Sequence, residues 1–284
     1  MTSKVALVTG TNSGIGLAIA VQMCQAGYTT YATVRSLEKA DGLRKAATDA
    51  GVVDRLKVME MDVGNDASVS TAVQALLAET GNVIDLVVSN AGFFDSSPPE
   101  AMTVDALAAS LNVNLFGAVR LSNAVLPAMR AAGRGRFIAT SSLAGLLGMP
   151  TVPAYVSSKF ALEGYMESMA ATYAGVGIHF SIVEPGPVKS GLLGNAIGAS
   201  GAPAELRPAV DAYGQWLDGL FTDAQTPDEC AKYFLQAATD ARPQLRYMTY
   251  PPIAPLLREK FTDLTGKGTL EALQSMVAPR AEVP

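Results

Sequence analysis

Histidine, cysteine and charge are scarce in this chain of 284 residues: one His, two Cys, and only 17% Asp, Glu, Lys and Arg together. A single histidine with no close cysteine pair leaves no ligand set for a zinc site. Cys24 and Cys230 stand in helical patterns, where a thiol behaves as a small apolar residue. They are expected to be reduced core side chains of a cytoplasmic protein. The net charge of −5 comes with no basic run, which argues against a nucleic-acid partner. No apolar window reaches membrane-spanning length without a charge or turn residue, and the first residues lack the pattern of a signal peptide. No transmembrane segment is therefore expected. The lone His179, within the apolar stretch Gly177–Val183, is expected to be a packed strand residue and not a ligand. No internal repeat or low-complexity tract is found.

Apolar residues, in contrast, make up 49% of the chain, enough for a large core and for contacts between subunits. Strand-like and helix-like segments alternate from Lys4 to Tyr250. That order predicts an α/β fold: one Rossmann-type, doubly wound parallel sheet with helices on both faces, a single domain over residues 1–284. Lys4–Val8 is a short apolar run of the kind a buried parallel strand requires. It leads into Thr9-Gly10-Thr11-Asn12-Ser13-Gly14-Ile15-Gly16, and from Ile15 to Ala26 apolar residues recur three or four apart, the helical period. Strand, glycine turn and helix together form a phosphate site. Gly10 permits the turn, Gly14 clears the way for a pyrophosphate, Gly16 lets helix and strand approach, and the first amides of the helix face the anion. Gly10, Asn12, Ser13, Gly14, Ile15 and Gly16 are the candidate dinucleotide contacts here. The spacing G-x-x-x-G-x-G matches the commoner G-x-G-x-x-G only in part.

A second strand, Thr29–Arg35, ends without a carboxylate to hold ribose hydroxyls. Arg35 instead offers a planar fork of donors to a 2′-phosphate, with Ser13 as a second donor, so NADP(H) is expected in preference to NAD(H). Further along, Tyr155 and Lys159 are four residues apart, which on a helix puts both side chains on one face. An ammonium beside a phenol favours the phenolate, and is expected to lower the Tyr155 pKa from about 10 towards neutrality. Such a phenol can donate or accept a proton at working pH. The pair alone is a weak signal, since most pairs of this kind are solvated.

The ordered set Thr9-Gly10-x-x-x-Gly14-Ile15-Gly16, Asp62-Val63, Asn90-Ala91-Gly92, Asn114, Ser142, Tyr155-x-x-x-Lys159 and Pro185-Gly186-Pro187-Val188 resembles the short-chain dehydrogenase/reductase superfamily. Residues 31–36 (YATVRS) and the thirteen-residue step from Ser142 to Tyr155 resemble its hydroxysteroid and retinol dehydrogenase branch. The resemblance implies that Tyr155 is the general acid/base and that Lys159 lowers its pKa and holds the nicotinamide ribose. It implies that Ser142, at the end of the strand Arg136–Ser141, polarises the substrate oxygen. Asn114, chosen over Asn112 by the motif's register, would steady a water behind Lys159. Asp62 and Val63 would border the adenine, Asn90, Ala91 and Gly92 would flank the cofactor, and Pro185, Gly186, Val188 and Ser190 would lie along the nicotinamide. Ser190 stands where the family more often has threonine. The implied reaction is interconversion of a secondary alcohol and a ketone. A cofactor-sensing binder without turnover and an epimerase using the cofactor transiently are the alternatives.

At the substrate side, Phe93-Phe94, Leu143–Val152 and a glycine-punctuated segment, residues 191–226, supply apolar residues, the last expected as a lid with Leu192, Leu193, Tyr213 and Trp216. No arginine pair is present to clamp an anionic substrate. A small apolar alcohol or ketone is expected, such as a hydroxysteroid, retinoid or aromatic carbonyl, in a homodimer or homotetramer. Helix is expected over Asp228–Thr239 and a last strand over Arg242–Met248. The C-terminal extension, residues 251–284, carries no catalytic motif; pocket cover, subunit contact and fraying are all open to it.

Overall fold

A computed structural model of the protein describes residues 4–191 and 201–278. Seven parallel strands form one sheet: β1 (Val5–Thr9), β2 (Thr29–Val34), β3 (Leu56–Glu60), β4 (Leu86–Ser89), β5 (Gly135–Thr140), β6 (Ile178–Glu184) and β7 (Arg246–Met248). Their order is β3-β2-β1-β4-β5-β6-β7, so the winding reverses between β1 and β4. A ligand crevice opens beyond the carboxyl ends of the strands at such a reversal.

Strand alternation sorts the core into two layers. Leu7, Val87, Phe137 and Ile182 face the helices α3 (Asp66–Glu79), α5 (Gly117–Ala132) and α6 (Pro153–Tyr173), through Val73, Leu121, Val125 and Met166. Val8, Val88, Ile138 and Val183 face α1 (Gly14–Gln25) and α8 (Pro227–Thr239), through Ile19, Met23, Cys230 and Phe234. Burying each of the larger side chains contributes about 2 kcal/mol against the entropy of ordering the chain. The start of α8 is fixed by a reciprocal cap in which Thr226 and Glu229 satisfy each other's backbone amides. Helices α2 (Asp41–Asp49), α4 (Val104–Leu111), α7 (Arg207–Phe221), α9 (Ala254–Thr262) and α10 (Lys267–Ser275) complete the described chain.

The doubly wound single sheet is as the sequence predicts; its details differ at several points. β7 starts at Arg246, because Pro243 donates no hydrogen bond and the Gln244 amide is taken by the Tyr247 hydroxyl at 3.0 Å. His179 lies in β6 but is exposed, not packed: Ile178 and Phe180 take the buried face and alternation turns the residue between them outward. Cys24 and Cys230 are buried and free. The helical run Val104–Ala132 is long and apolar enough to cross a membrane by length and composition. Here it lays Leu121, Val125 and Met129 against the sheet, and it carries Arg120, which donates to the Val63 and Asn112 carbonyls at 3.1 Å each. Of the expected lid, Leu192, Leu193, Gly194 and Gly198 lie outside the described residues.

Candidate active site

At the β1–β4 reversal a cleft of about 460 Å³ runs from the glycine turn to α7. Every residue expected to contact a dinucleotide lines it, as do Ser142, Tyr155 and Lys159; Asn114 stands behind its wall.

The glycine turn is shaped by its neighbours. Gly10 (φ +70°) and Gly14 (φ +56°) hold left-handed backbone that side-chain-bearing residues resist. A Cβ on Gly10 would come 2.7 Å from the Ala91 Cα, and one on Gly16 would overlap the Gly10 carbonyl and the Asn90 amide. Ser13 precedes α1 in extended backbone without placing its hydroxyl on the helix amides, so the first-turn N–H groups face the cleft. Asn90 ties three strands together: its amide donates to the Thr9 carbonyl at 2.9 Å and accepts from the Thr140 hydroxyl at 3.2 Å, and its backbone N–H donates to the Thr9 hydroxyl. It fixes the floor of the cleft as well as lining it. Asp62 accepts from the Gly64 amide at 2.9 Å, a local turn at the cleft's rim. Arg35 is exposed and makes no hydrogen bond or ion pair with another described residue, leaving its guanidinium available to a phosphate.

Helix α6 begins at Pro153, and two residues on places Tyr155 at the junction of the two halves of the cleft. Tyr155 is 7% exposed, with Phe94 edge-on at 4.9 Å between ring centroids. Lys159 reaches past it: its Nζ donates to the Thr140 carbonyl at 2.8 Å and sits 5.7 Å from the Tyr155 ring centroid. Ser142 lies just beyond β5, which ends at Thr140 and not at Ser141; its hydroxyl accepts from the Ala144 amide at 3.1 Å and starts a short 3₁₀ turn.

The expected lowering of the Tyr155 pKa is not found. Burial pushes the phenol up to about 12, with the neighbouring Ser142 hydroxyl pulling the other way. Burial likewise brings Lys159 down to about 8, opposed by Glu163. Both groups lose their water before either gains enough from the other, so desolvation outweighs the attraction inferred from helical spacing.

Asn114 occupies a π-helical turn, Asn112–Phe116, between α4 and α5. Its side chain donates to the Phe93 carbonyl and to the Ser158 hydroxyl, each at 2.8 Å, and accepts from the Phe93 amide at 2.7 Å. Ser158 in turn donates to the Tyr155 carbonyl at 2.7 Å. Asn114 thus links the Phe93–Phe94 wall to α6, whereas Asn112 points away and donates to the Gly64 carbonyl.

Sequence reasoning missed an ionic cluster directly behind Lys159. Tyr155, Lys159, Glu163 and Glu167 form one stripe on α6, four residues apart. Arg246 of β7 pairs with Glu163, with Glu167 at 2.6 Å and with Glu184 at 3.0 Å. The stripe was visible in the spacing; the distant arginine was not.

Glu184 is fully buried. Burial, with Glu163 adding to it, pushes its carboxyl up to about 7 despite the bond from Arg246. A carboxyl raised on folding keeps its proton in the folded chain where the unfolded chain has lost it. Its stabilising contribution is complete below the unfolded value and is lost as pH rises through about 7. In thermal melts from pH 5 to 8, the wild type should lose on the order of 3 kcal/mol relative to Glu184→Gln. Parallel stability curves for the two proteins would contradict this.

Residues 4–198 match the family model described as short chain dehydrogenase. The chain is 36% identical to human 17-beta-hydroxysteroid dehydrogenase type 1, over 98% of its own length and 87% of that protein. It is 35% identical to retinol dehydrogenase 8 of Bos taurus, over 93% and 86% of the two chains. A metagenomic short-chain oxidoreductase solved in complex with NADP superposes with a TM-score of 0.70, at 28% identity, over 88% of this chain and 98% of that one.

Proposed function

The chain belongs to the short-chain dehydrogenase/reductase family of oxidoreductases, beside its hydroxysteroid and retinol dehydrogenases, and from that premise we propose that it interconverts an apolar secondary alcohol and its ketone, using NADP(H) in preference to NAD(H). The observation that carries this reading is Tyr155: a buried phenol with Ser142 and Lys159 beside it, where a glycine-lined dinucleotide groove meets an apolar pocket.

The residues fit a dinucleotide. Gly10 and Gly16 have no room for a Cβ, the first amides of α1 point into the groove, and the crevice lies at the sheet's reversal. A nicotinamide cofactor supplies hydride transfer when bound. The chain's own residues do the rest. Ser142 donates a hydrogen bond to the substrate oxygen, and Tyr155 gives that oxygen its proton in reduction or takes it in oxidation. Lys159, held by the Thr140 carbonyl, places a positive charge next to the phenol. A phenol kept protonated by burial is already in the acid form that reduction needs. The substrate end is walled by Phe94, Leu143, Met149, Val152, Trp216 and Leu217, which exclude water and favour an apolar skeleton.

For the cofactor choice, Arg35 follows β2 with no carboxylate at the strand end. Arg35→Ala is expected to cut kcat/KM for NADPH by about 10- to 100-fold and to leave that for NADH within about twofold, as loss of a charge-assisted bond to a 2′-phosphate predicts. A panel of steroid, retinoid and aryl ketones assayed with both cofactors tests the whole reading. A wild-type preference for NADH, unchanged by the substitution, would overturn the cofactor assignment, and turnover of sugars or acyl thioesters alone would overturn the substrate class.

A further inference from the structure

Lys159, the cation next to the Tyr155 phenol, is 4% exposed, and the group its Nζ meets is a neutral one, the Thr140 carbonyl. A buried ammonium held by a carbonyl alone tends to shed its proton. One turn further along α6, on the same face, stands Glu163, 5% exposed. One oxygen of its carboxylate bonds Arg246. The other, Oε1, makes no hydrogen bond to a described residue and lies beside the Ser141 hydroxyl, which favours its charge. Gly145 makes room for it: a Cβ there would come 3.1 Å from Oε1 and 2.5 Å from the Ser141 hydroxyl. The carboxylate is thus seated under the short turn that Ser142 starts and a single helical turn from Lys159.

We propose that Glu163 is a positioning residue for the reaction: its carboxylate, held ionised by Arg246, keeps Lys159 charged inside the cleft. The proposal rests on the proposed function and adds to it the group that sets the upper pH limit of the reaction. The other groups facing the pair leave this part to Glu163. Tyr155 keeps its proton, Thr140 and Ser141 carry no charge, and of the cleft's charged side chains neither Arg35 nor Asp62 bears on the ammonium. Burial brings Lys159 down to about 8, with Glu163 alone opposing it. On its far side Glu163 meets Arg246 of β7, which also holds Glu184 of β6 and the half-exposed Glu167 of α6. An ammonium that loses the carboxylate beside it gives up its proton at a lower pH.

Glu163→Gln keeps the shape of the side chain and removes its charge. The reaction followed is reduction of the best ketone of the panel at saturating NADPH, from about pH 5.5 to about pH 9.5. Wild-type kcat/KM is expected to fall as pH rises through about 8, where Lys159 loses its proton. The variant should stay within about twofold of wild type at about pH 6. Its basic limb should come about one pH unit earlier, leaving it roughly 5- to 10-fold below wild type at about pH 8.5. Glu167→Gln, which gives up a bond to the same arginine, should follow the wild-type curve. A loss uniform across the pH range, as a merely structural residue would give, or a basic limb that does not move, would overturn the role of Glu163 while leaving the proposed reaction standing. Should the single variant fail to fold by circular dichroism, Glu163→Met combined with Arg246→Met removes both partners of the buried pair and reads the same limb with the same outcomes. Wild-type failure to oxidise NADPH with any ketone of the panel would overturn the parent reading and this one with it.

Discussion

Tyr155→Phe is expected to lower turnover about 10²- to 10⁴-fold while NADPH binds as in wild type. The substitution removes one oxygen and keeps the ring that Phe94 meets edge-on, so the pocket wall survives. Lys159 keeps its bond to the Thr140 carbonyl, and the glycine groove is untouched. What disappears is the proton that the substrate oxygen must receive, and positioned acid/base groups contribute about that factor. Single-turnover NADPH oxidation, with cofactor affinity measured separately by fluorescence, separates chemistry from binding. Near-wild-type turnover with intact binding would remove Tyr155 from the mechanism.

Arg246→Met is expected to destabilise the fold by about 2–4 kcal/mol at pH 8. Arg246 is the cation shared by Glu163, Glu167 and Glu184; Glu163 and Glu184 are buried, whereas Glu167 is half exposed. Removing one partner of a buried pair leaves uncompensated charge, which costs far more than the pair's net contribution. Because Arg246 is about one-third exposed, the expected loss is set below the upper end seen for sealed pairs. The loss should shrink at pH 5, where Glu184, raised by burial to about 7, takes up a proton instead. Denaturant midpoints at the two pH values measure it. A loss equal at both would mean the methionine fails on packing rather than charge.

The doubly wound parallel sheet with helices on both faces was legible because buried parallel strands and amphipathic helices each write a period into the chain; the strand order was not. The glycine turn was legible too, since Gly10 and Gly16 stand where no side chain fits. What could not be read were distances created by the fold. Helical spacing put Lys159 beside Tyr155, but burial, which decides both pKa values, is a property of the whole cleft. Asn114 was set by motif register, whereas its bonds to Phe93 and Ser158 depend on a π-helical turn that no pattern in 112–116 signals. Arg246 is remote in sequence from the glutamates it gathers.

The central claim is that this cleft carries out hydride transfer to a carbonyl carbon beside the Tyr155 hydroxyl. The most direct measurement is reduction of a ketone from the steroid, retinoid and aryl panel with NADPH deuterated at both C4 positions, the two singly labelled forms being compared to read the face, followed by mass and NMR analysis of the product. The account predicts one deuterium on the carbinol carbon for each NADPH consumed, with one face of the nicotinamide used. Binding of NADPH without oxidation, or a product carrying no deuterium at that carbon, would contradict it.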